Sequence, residues 1–175
     1  MMTTPEYLAA GDRIAIVAPA GKITQKTIDS AAAMLKSWGL EVVLGKYLFR
    51  DAFQYSATDN ERLSDLQEAL DDPSIKAILC ARGGYGTVRI IDRINFDRFK
   101  QAPKWIIGFS DITVLHAHIH SNLGTETIHA AMAAGMVTLM IVCAERHSSL
   151  TGKHASPTTR TSSGACPRVA FGTAS

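Results

Sequence analysis

Lys104-Trp105-Ile106-Ile107-Gly108-Phe109-Ser110-Asp111-Ile112-Thr113-Val114-Leu115-His116 reads as strand, tight turn, helix. Trp105, Ile106 and Ile107 form an apolar run of the length of a buried strand. Gly108 then permits a sharp turn. Ser110 and Asp111 stand where a helix begins, and either side chain can accept hydrogen bonds from the free amides of a first turn. Ile112, Leu115, Ile119 and Leu123 follow at helical spacing. A serine at a strand-to-helix turn is the plan of a nucleophile elbow, which exposes a hydroxyl at a strand end and aims helix amides at a reacting carbonyl. The usual elbow has glycine two positions after the serine, where this chain has Ile112. The local residues alone therefore favour the commoner task of helix capping over catalysis.

Upstream, the same alternation repeats. Arg13–Ala18 reads as a fully buried strand stopped by Pro19 and Gly21. Thr24 is an N-cap, and Ile28, Ala31, Ala32, Leu35 and Trp38 fall on one face of a helix that Gly39 ends. Leu40–Leu44 is a second strand, so the unit is strand–helix–strand with a right-handed crossover. Residues 45–58 form a polar loop with Tyr and Phe, suited either to a substrate lid or to a plain surface connection. Thr58 or Asp59 opens a helix lined by Leu63, Leu66 and Leu70, and Asp72-Pro73 closes it. Ile75–Cys80 is a third strand. Ala81-Arg-Gly-Gly-Tyr-Gly-Thr87 follows, with three glycines in four positions that let the backbone approach a ligand and turn its amides outward. Val88, Ile91 and Ile94 mark a short helix. Ligands bind beyond the carboxyl ends of strands in open parallel sheets, so the glycine loop and Ser110 are expected to share a pocket.

Downstream, Gly124 makes a turn, and Thr125–Ile128 reads as a short strand ending at His129. The run from Ala130 to Ala144 is apolar but for Thr138. It is shorter than the ~20 residues of a membrane helix and is expected to be buried against something. Residues 144–175 contain 11 Ser or Thr, show no apolar period and are expected to be poorly ordered.

The 175 residues, 46% hydrophobic, suit one α/β domain with an appendage. A net charge of +2 is too small to indicate nucleic acid. It is also uneven: residues 1–143 carry 14 Lys/Arg against 15 Asp/Glu, while the remainder carries 4 against Glu145 alone. Cys80, Cys143 and Cys166 are odd in number and far apart, which points away from a disulfide framework and towards a reducing cytoplasm. The first residues lack the pattern of a secretory signal. The expected fold is α/β: an open, mostly parallel sheet with helices on both faces, a Rossmann/flavodoxin-like three-layer domain, followed by a poorly ordered tail.

Several motifs in order carry a family resemblance. Gly11-Asp-Arg-Ile-Ala-Ile-Val-Ala-Pro-Ala, the stretch from Tyr55 to Leu63, Ala81-Arg-Gly-Gly-Tyr-Gly-Thr-Val-Arg-Ile-Ile, Pro103 to His116, and Thr127-Ile-His-Ala-Ala-Met resemble the amino-terminal domain of the LD-carboxypeptidases. These serine peptidases trim muramoyl tetrapeptides in bacteria, releasing terminal D-alanine during peptidoglycan recycling; relatives cleave a peptidyl-nucleotide antibiotic. The match runs from about Gly11 to about Met136. The resemblance implies that Ser110 is the nucleophile and that the backbone amides of Asp111 and Gly84 are oxyanion donors. Arg82, Gly83 and Tyr85 would contact the peptide substrate, although Arg82 serves equally well as half of a structural ion pair. No metal or cofactor is implied. His129 matches the histidine of a His-Gly-Pro-Met segment in which Ala130-Ala131 here replace Gly-Pro, and it is not the family's catalytic histidine.

In the family, the glutamate and histidine that complete the triad come from a second, carboxyl-terminal domain. The expected division is thus an amino-terminal α/β domain over residues 8–136 and an apolar segment with a low-order tail over 137–175, without the second catalytic domain. On this reading the chain is a truncated and inactive form, and its abrupt compositional switch favours an out-of-frame or misassembled end over a natural shortening. Three other readings compete. His116 and His120 have the i, i+4 spacing of a zinc pair but lack the glutamate of a His-Glu-x-x-His motif. The Gly83–Gly86 loop could hold a peptide or nucleotide-like ligand without catalysis. The apolar 130–144 run could seek a missing domain or another subunit, which leaves a homodimer open.

Overall fold

The structure, a computed structural model, describes residues 2–136. Among these, five apolar runs become the strands β1 (Arg13–Val17), β2 (Glu41–Leu44), β3 (Ile75–Cys80), β4 (Trp105–Gly108) and β5 (Ile128–His129). They form one sheet in the order β2-β1-β3-β4-β5, and every pairing is parallel. The helices are α1 (Gln25–Ser37), α2 (Asp59–Asp71), α3 (Asp97–Gln101) and α4 (Thr113–Leu123). One face of the sheet packs Ala15, Val17, Ile78 and Ile106 against Leu66 and Leu70 of α2, Phe99 of α3, and Leu115 and Ile119 of α4. The other packs Ile14, Ile16, Ala77 and Leu79 against Ile28, Ala31 and Leu35 of α1. The expected α/β class, with helices on both faces, is the fold observed.

Local chemistry explains the element boundaries. Thr24 caps α1 by accepting from the Thr27 amide. Thr58 and Glu61 form a reciprocal capping box on α2. Gly124 closes α4 in the left-handed conformation at φ 61°. Lys104, almost fully buried, donates from Nζ to the carbonyls of Ala69 (3.0 Å) and Asp72 (2.7 Å) and so caps the far end of α2.

The structure corrects several details. The helix expected at Val88–Ile94 is a pair of 3-10 turns, Thr87–Arg89 and Ile91–Arg93. Thr87, Ile90 and Ile91 are buried there and Val88 is exposed, so the apolar spacing is helical while the backbone winds as two short 3-10 turns. Helix α3 carries too few residues to show a period, and only the burial of Phe99 fixes it. Thr125 does not enter β5; it bridges to Thr3, and β5 is confined to two residues. Trp38 caps the end of α1 and stays 41% exposed, not buried with Ile28, Ala31 and Leu35. The buried face of α2 includes Arg62 and Asp65 beside Leu66 and Leu70, while Leu63 is only partly buried. The tail expected to be poorly ordered lies outside the described residues, as does the apolar run beyond Met136.

Candidate active site

The carboxyl ends of β1, β3 and β4 lie side by side, since Val17 pairs with Cys80 and Leu79 with Ile107. The order β2-β1-β3 places the point where the chain reverses direction across the sheet between β1 and β3, the usual ligand position in such folds. The Gly21 amide donates to the Gly83 carbonyl (3.1 Å), joining the turn after β1 to the glycine loop after β3. A Cβ on Gly21 would lie 2.7 Å from that same carbonyl oxygen, so the approach requires glycine.

Ser110 follows β4 and is exposed at this edge, with φ at 62°. A non-glycine residue held in the left-handed region stores strain, and such strain clusters at functional sites. The conformation excludes the capping role: the residue before the 3-10 turn Ser110–Ile112 is Phe109, and no side chain caps that turn. The cap expected of Asp111 is likewise absent, because its carboxylate instead accepts from the Thr87 amide at 2.9 Å. Asp111 thereby ties the elbow to the end of the glycine loop. A glycine two positions after the serine is unnecessary here, since the crowding is met at Gly108, where an added Cβ would meet Ile112 Cγ2 at 2.9 Å.

The glycine loop faces the serine. A Cβ on Gly83 would sit 3.2 Å from Ser110 Oγ and 3.0 Å from its Cβ. Gly84 and Gly86 hold φ at 121° and 143°, open to glycine but strained for other residues. Among the described residues, no group accepts a hydrogen bond from the Gly84 or Asp111 amide. Tyr85 is half exposed, with its ring 6.3 Å from that of Tyr55. Arg82 is exposed, and its guanidinium donates to the Lys22 carbonyl at 3.2 Å. Gly83 and Ser110 therefore meet at one edge of the sheet, with Asp111 tied to the glycine loop through Thr87, while Arg82 and Tyr85 lie against Lys22 and Tyr55.

Three residues that the sequence reading left in minor roles hold this arrangement. Arg62, 2% exposed, donates to the carbonyls of Pro19 and Gly86 (3.0 Å to the latter) and pairs with Asp59. It also lies over the Tyr55 ring at 4.9 Å. Gly86 has no room for a side chain, since a Cβ would meet the Arg62 guanidinium at 2.7 Å. Asp59 also binds Arg89, and these contacts hold its carboxyl below the usual carboxylate range, with the Arg89 hydrogen bond the largest cause. His116 is buried, and its Nε2 lies 3.0 Å from the Gly108 carbonyl. That carbonyl can only accept, so Nε2 carries the proton and Nδ1, which has no described partner, is bare. Burial lowers the His116 pKa, favouring the neutral ring. His116 is thus engaged at β4 rather than paired with His120, and His118 stacks on Phe96 at 5.1 Å. His129 is exposed, its ring 6.0 Å from that of His116 and 6.2 Å from that of Phe109. Cys80 lies buried beneath the loop, its thiol pushed up to about 12 by burial and by the Asp111 charge, so it is not a nucleophile at neutral pH.

The loop over residues 45–58 is anchored at its end: the Ser56 amide and hydroxyl donate to the Ala20 and Ala18 carbonyls at 3.1 and 2.6 Å. The site thus sets an exposed serine at a strained turn against Gly83, with the Gly84 and Asp111 amides free of described acceptors.

Residues 14–130 match the family described as the LD-carboxypeptidase N-terminal domain. A Bacillus subtilis protein named as a probable murein peptide carboxypeptidase is 43% identical over 128 residues, which are 73% of this chain and 40% of that protein. The crystal structure of muramoyltetrapeptide carboxypeptidase from Oxalobacter formigenes superposes with a TM-score of 0.62 at 30% identity, over 69% of this chain and 40% of its own. The microcin C7 self-immunity protein MccF, of a name carried by an Escherichia coli protein, superposes in its complex with aspartyl sulfamoyl adenosine with a TM-score of 0.73 at 26% identity, over 89% of this chain and 48% of its own. The chain spans less than half the length of each of these relatives.

Proposed function

Starting from the fact that this chain belongs to the LD-carboxypeptidase family, through its amino-terminal domain, we propose that it carries the nucleophile half of a murein tetrapeptide carboxypeptidase site. Ser110 attacks the carbonyl before the terminal D-alanine. The amides of Gly84 and Asp111 receive the negative charge that develops on the carbonyl oxygen. Gly83 gives the peptide room to approach, while Arg82 and Tyr85 line its path. The observation that carries this reading is the strained φ of 62° at Ser110, opposite a glycine whose Cβ would stand 3.2 Å from the serine oxygen.

A serine hydroxyl also needs a base to take its proton. Among the described residues, the nearest histidines along the chain do not offer one: His116 is turned to Gly108, and His118 stacks on Phe96. The base and its orienting acid come from outside residues 2–136, as the family's two-domain plan implies. We therefore take the amino-terminal unit as residues 8–136 and expect these 175 residues by themselves to be nearly inactive. An oxyanion hole and binding alone can retain roughly 10³–10⁴-fold acceleration over water in a triad enzyme without its triad, which is slow on any enzymatic scale.

The test measures D-alanine release from a muramoyl tetrapeptide by two proteins. One is this chain. The other is a chimera in which the residues after Ala130 are replaced by the carboxyl-terminal part of the Bacillus subtilis relative. The chain is expected to give only trace release, and the chimera turnover that Ser110→Ala abolishes. A folded chimera whose turnover survives Ser110→Ala overturns the nucleophile assignment. Rapid turnover by the chain alone overturns its inactivity.

The likeness to MccF bound to aspartyl sulfamoyl adenosine supports a second ligand class at the same cleft, a peptidyl-nucleotide. A thermal shift with a nucleotide-linked amino acid and none with murein tetrapeptide would favour that class.

A further inference from the structure

Residues 84–86 of the glycine loop are held by other parts of the fold. Among the described residues, their three amides and the carbonyls of Gly84 and Tyr85 have no backbone partner. Two of the three are glycines, with φ at 121° and 143°, the residue type that loses most freedom when it is fixed. Such a stretch does not set its own geometry, yet an oxyanion donor works only when it is oriented before the charge develops. The fixation reaches it at its two ends. Before the stretch, the Gly83 carbonyl accepts from the Gly21 amide at 3.1 Å. After it, the Asp111 carboxylate accepts from the Thr87 amide at 2.9 Å.

The third hold is Arg62, buried on the first turn of α2. One Nη donates to the Gly86 carbonyl at 3.0 Å and also to the Pro19 carbonyl, so a single guanidinium joins the chain after β1 to the glycine loop. Its other Nη pairs with Asp59, which also binds Arg89 at 2.6 Å in the 3-10 turn after the loop. The Tyr55 ring lies against both cations, 4.9 Å from Arg62 and 5.6 Å from Arg89. A buried ion pair is a weak source of stability, because desolvating the charges offsets their attraction. Arg62 Nε is buried without a partner among the described residues, which adds to that cost. What the guanidinium supplies instead is a rigid planar fork of donors, which neither lysine nor an apolar side chain offers. We propose that Arg62 is a positioning residue: it fixes the path of residues 84–86 and thereby aims the Gly84 amide. Its effect on catalysis rests on the reading of Gly84 as an oxyanion donor; its hold on the loop does not.

Arg62→Lys keeps the charge and removes the fork. In the 175-residue chain, hydrogen exchange is followed at Gly21, Thr87 and Arg89, the bonded amides around the loop. Their exchange is expected to rise about tenfold in the variant, with residues 77–79 of β3 unchanged, as local opening requires. Unchanged exchange at all three overturns the proposal. So does an equal rise in β3, which would make Arg62 a general support of the fold. In the chimera described above, the same variant is expected to lower kcat about 10–100-fold, as a misaimed donor would, with KM within about twofold. A raised KM at unchanged kcat, or no change in either, overturns the proposal. A chimera that shows no turnover even without this substitution strikes the enzymatic reading instead, and the exchange result then decides alone. If Arg62→Lys does not fold, Asp59→Asn takes its place, since it keeps an acceptor for Arg62 and removes only the charge. A rise of about threefold in the same three amides is then expected, and no rise overturns the proposal.

Discussion

Ser110 stands out by its backbone before its chemistry. Left-handed conformation costs a side-chain-bearing residue about 1–2 kcal/mol, and at φ 62° that cost falls on the one exposed serine facing the glycine loop. Ser110→Gly is expected to raise stability by up to about 1 kcal/mol, after the added freedom of the unfolded chain is deducted. Ser110→Val is expected to lower it by about 1–3 kcal/mol. Urea denaturation of the three chains checks the order; a Val variant as stable as the parent would show the turn to be unstrained. His116 gives a pH signature with a defined sign. Its folded pKa lies below the ordinary 6.5 because of burial, so between those two values the unfolded chain binds more protons than the folded one. Its contribution is present above pH 6.5 and is lost as the pH falls through the folded pKa. The melting temperature should therefore drop on acidification below 6.5, and His116→Gln, which keeps a donor for the Gly108 carbonyl, should flatten that drop. An unchanged acid limb in the variant would remove His116 from the account.

At the scale of elements, α2 is held at its two ends by unlike devices. Its start carries the local capping box of Thr58 and Glu61, and its end rests on Lys104, thirty-odd positions away in sequence. Burial lowers the Lys104 pKa to about 8, yet its two carbonyl partners keep the amine bonded. Thr58→Ala is expected to cost about 1 kcal/mol, the usual loss of an N-cap. Lys104→Met is expected to cost more, about 1–3 kcal/mol, because it strands two carbonyl acceptors away from solvent. Denaturant titration ranks the two, and the reverse order would show the Lys104 bonds to be replaceable by water. α2 also explains why its inner face was only half legible. Leu66 and Leu70 reveal themselves by spacing, but Arg62 and Asp65 occupy the same face. A periodicity of apolar residues assigns charged side chains to water. Only their partners show otherwise: the Pro19 and Gly86 carbonyls for Arg62, and the Tyr47 amide, 2.9 Å from the carboxylate, for Asp65. The signal was the charge itself, two ionic residues interrupting an otherwise apolar stripe.

At the scale of the molecule, the site is an edge of the sheet rather than an enclosed cavity. Three strand ends bring the Ser110 turn, the glycine loop and the turn after β1 together, with Arg62 and Asp111 as the cross-links between them. Among the described residues, no hydrogen bond joins the Ser110 hydroxyl to a base, and His116 and His118 are turned to other partners. The near-absence of D-alanine release expected from the chain alone belongs to this scale. It follows from what the described elements bring to the cleft, since each of the two adjacent histidines of α4 is turned to another partner.

The sequence by itself determined the alternation of strand and helix, the caps of α1 and α2, the parallel class of the sheet, and the residues that carry the family likeness. All of these rest on local periodicity, capping chemistry or ordered motifs, which are properties of neighbouring residues. The tertiary structure alone decided that Ser110 is strained and exposed rather than a cap, that Asp111 serves the glycine loop rather than its own helix, and that Gly83 rather than its neighbours faces the serine oxygen. It also decided that Arg62, Lys104 and His116 are buried organisers. Each of these facts is a contact between strand ends or between a helix and a distant carbonyl. Such contacts depend on strand order and register, and the order β2-β1-β3-β4-β5 is fixed by packing both faces of the whole sheet, not by any one stretch of chain.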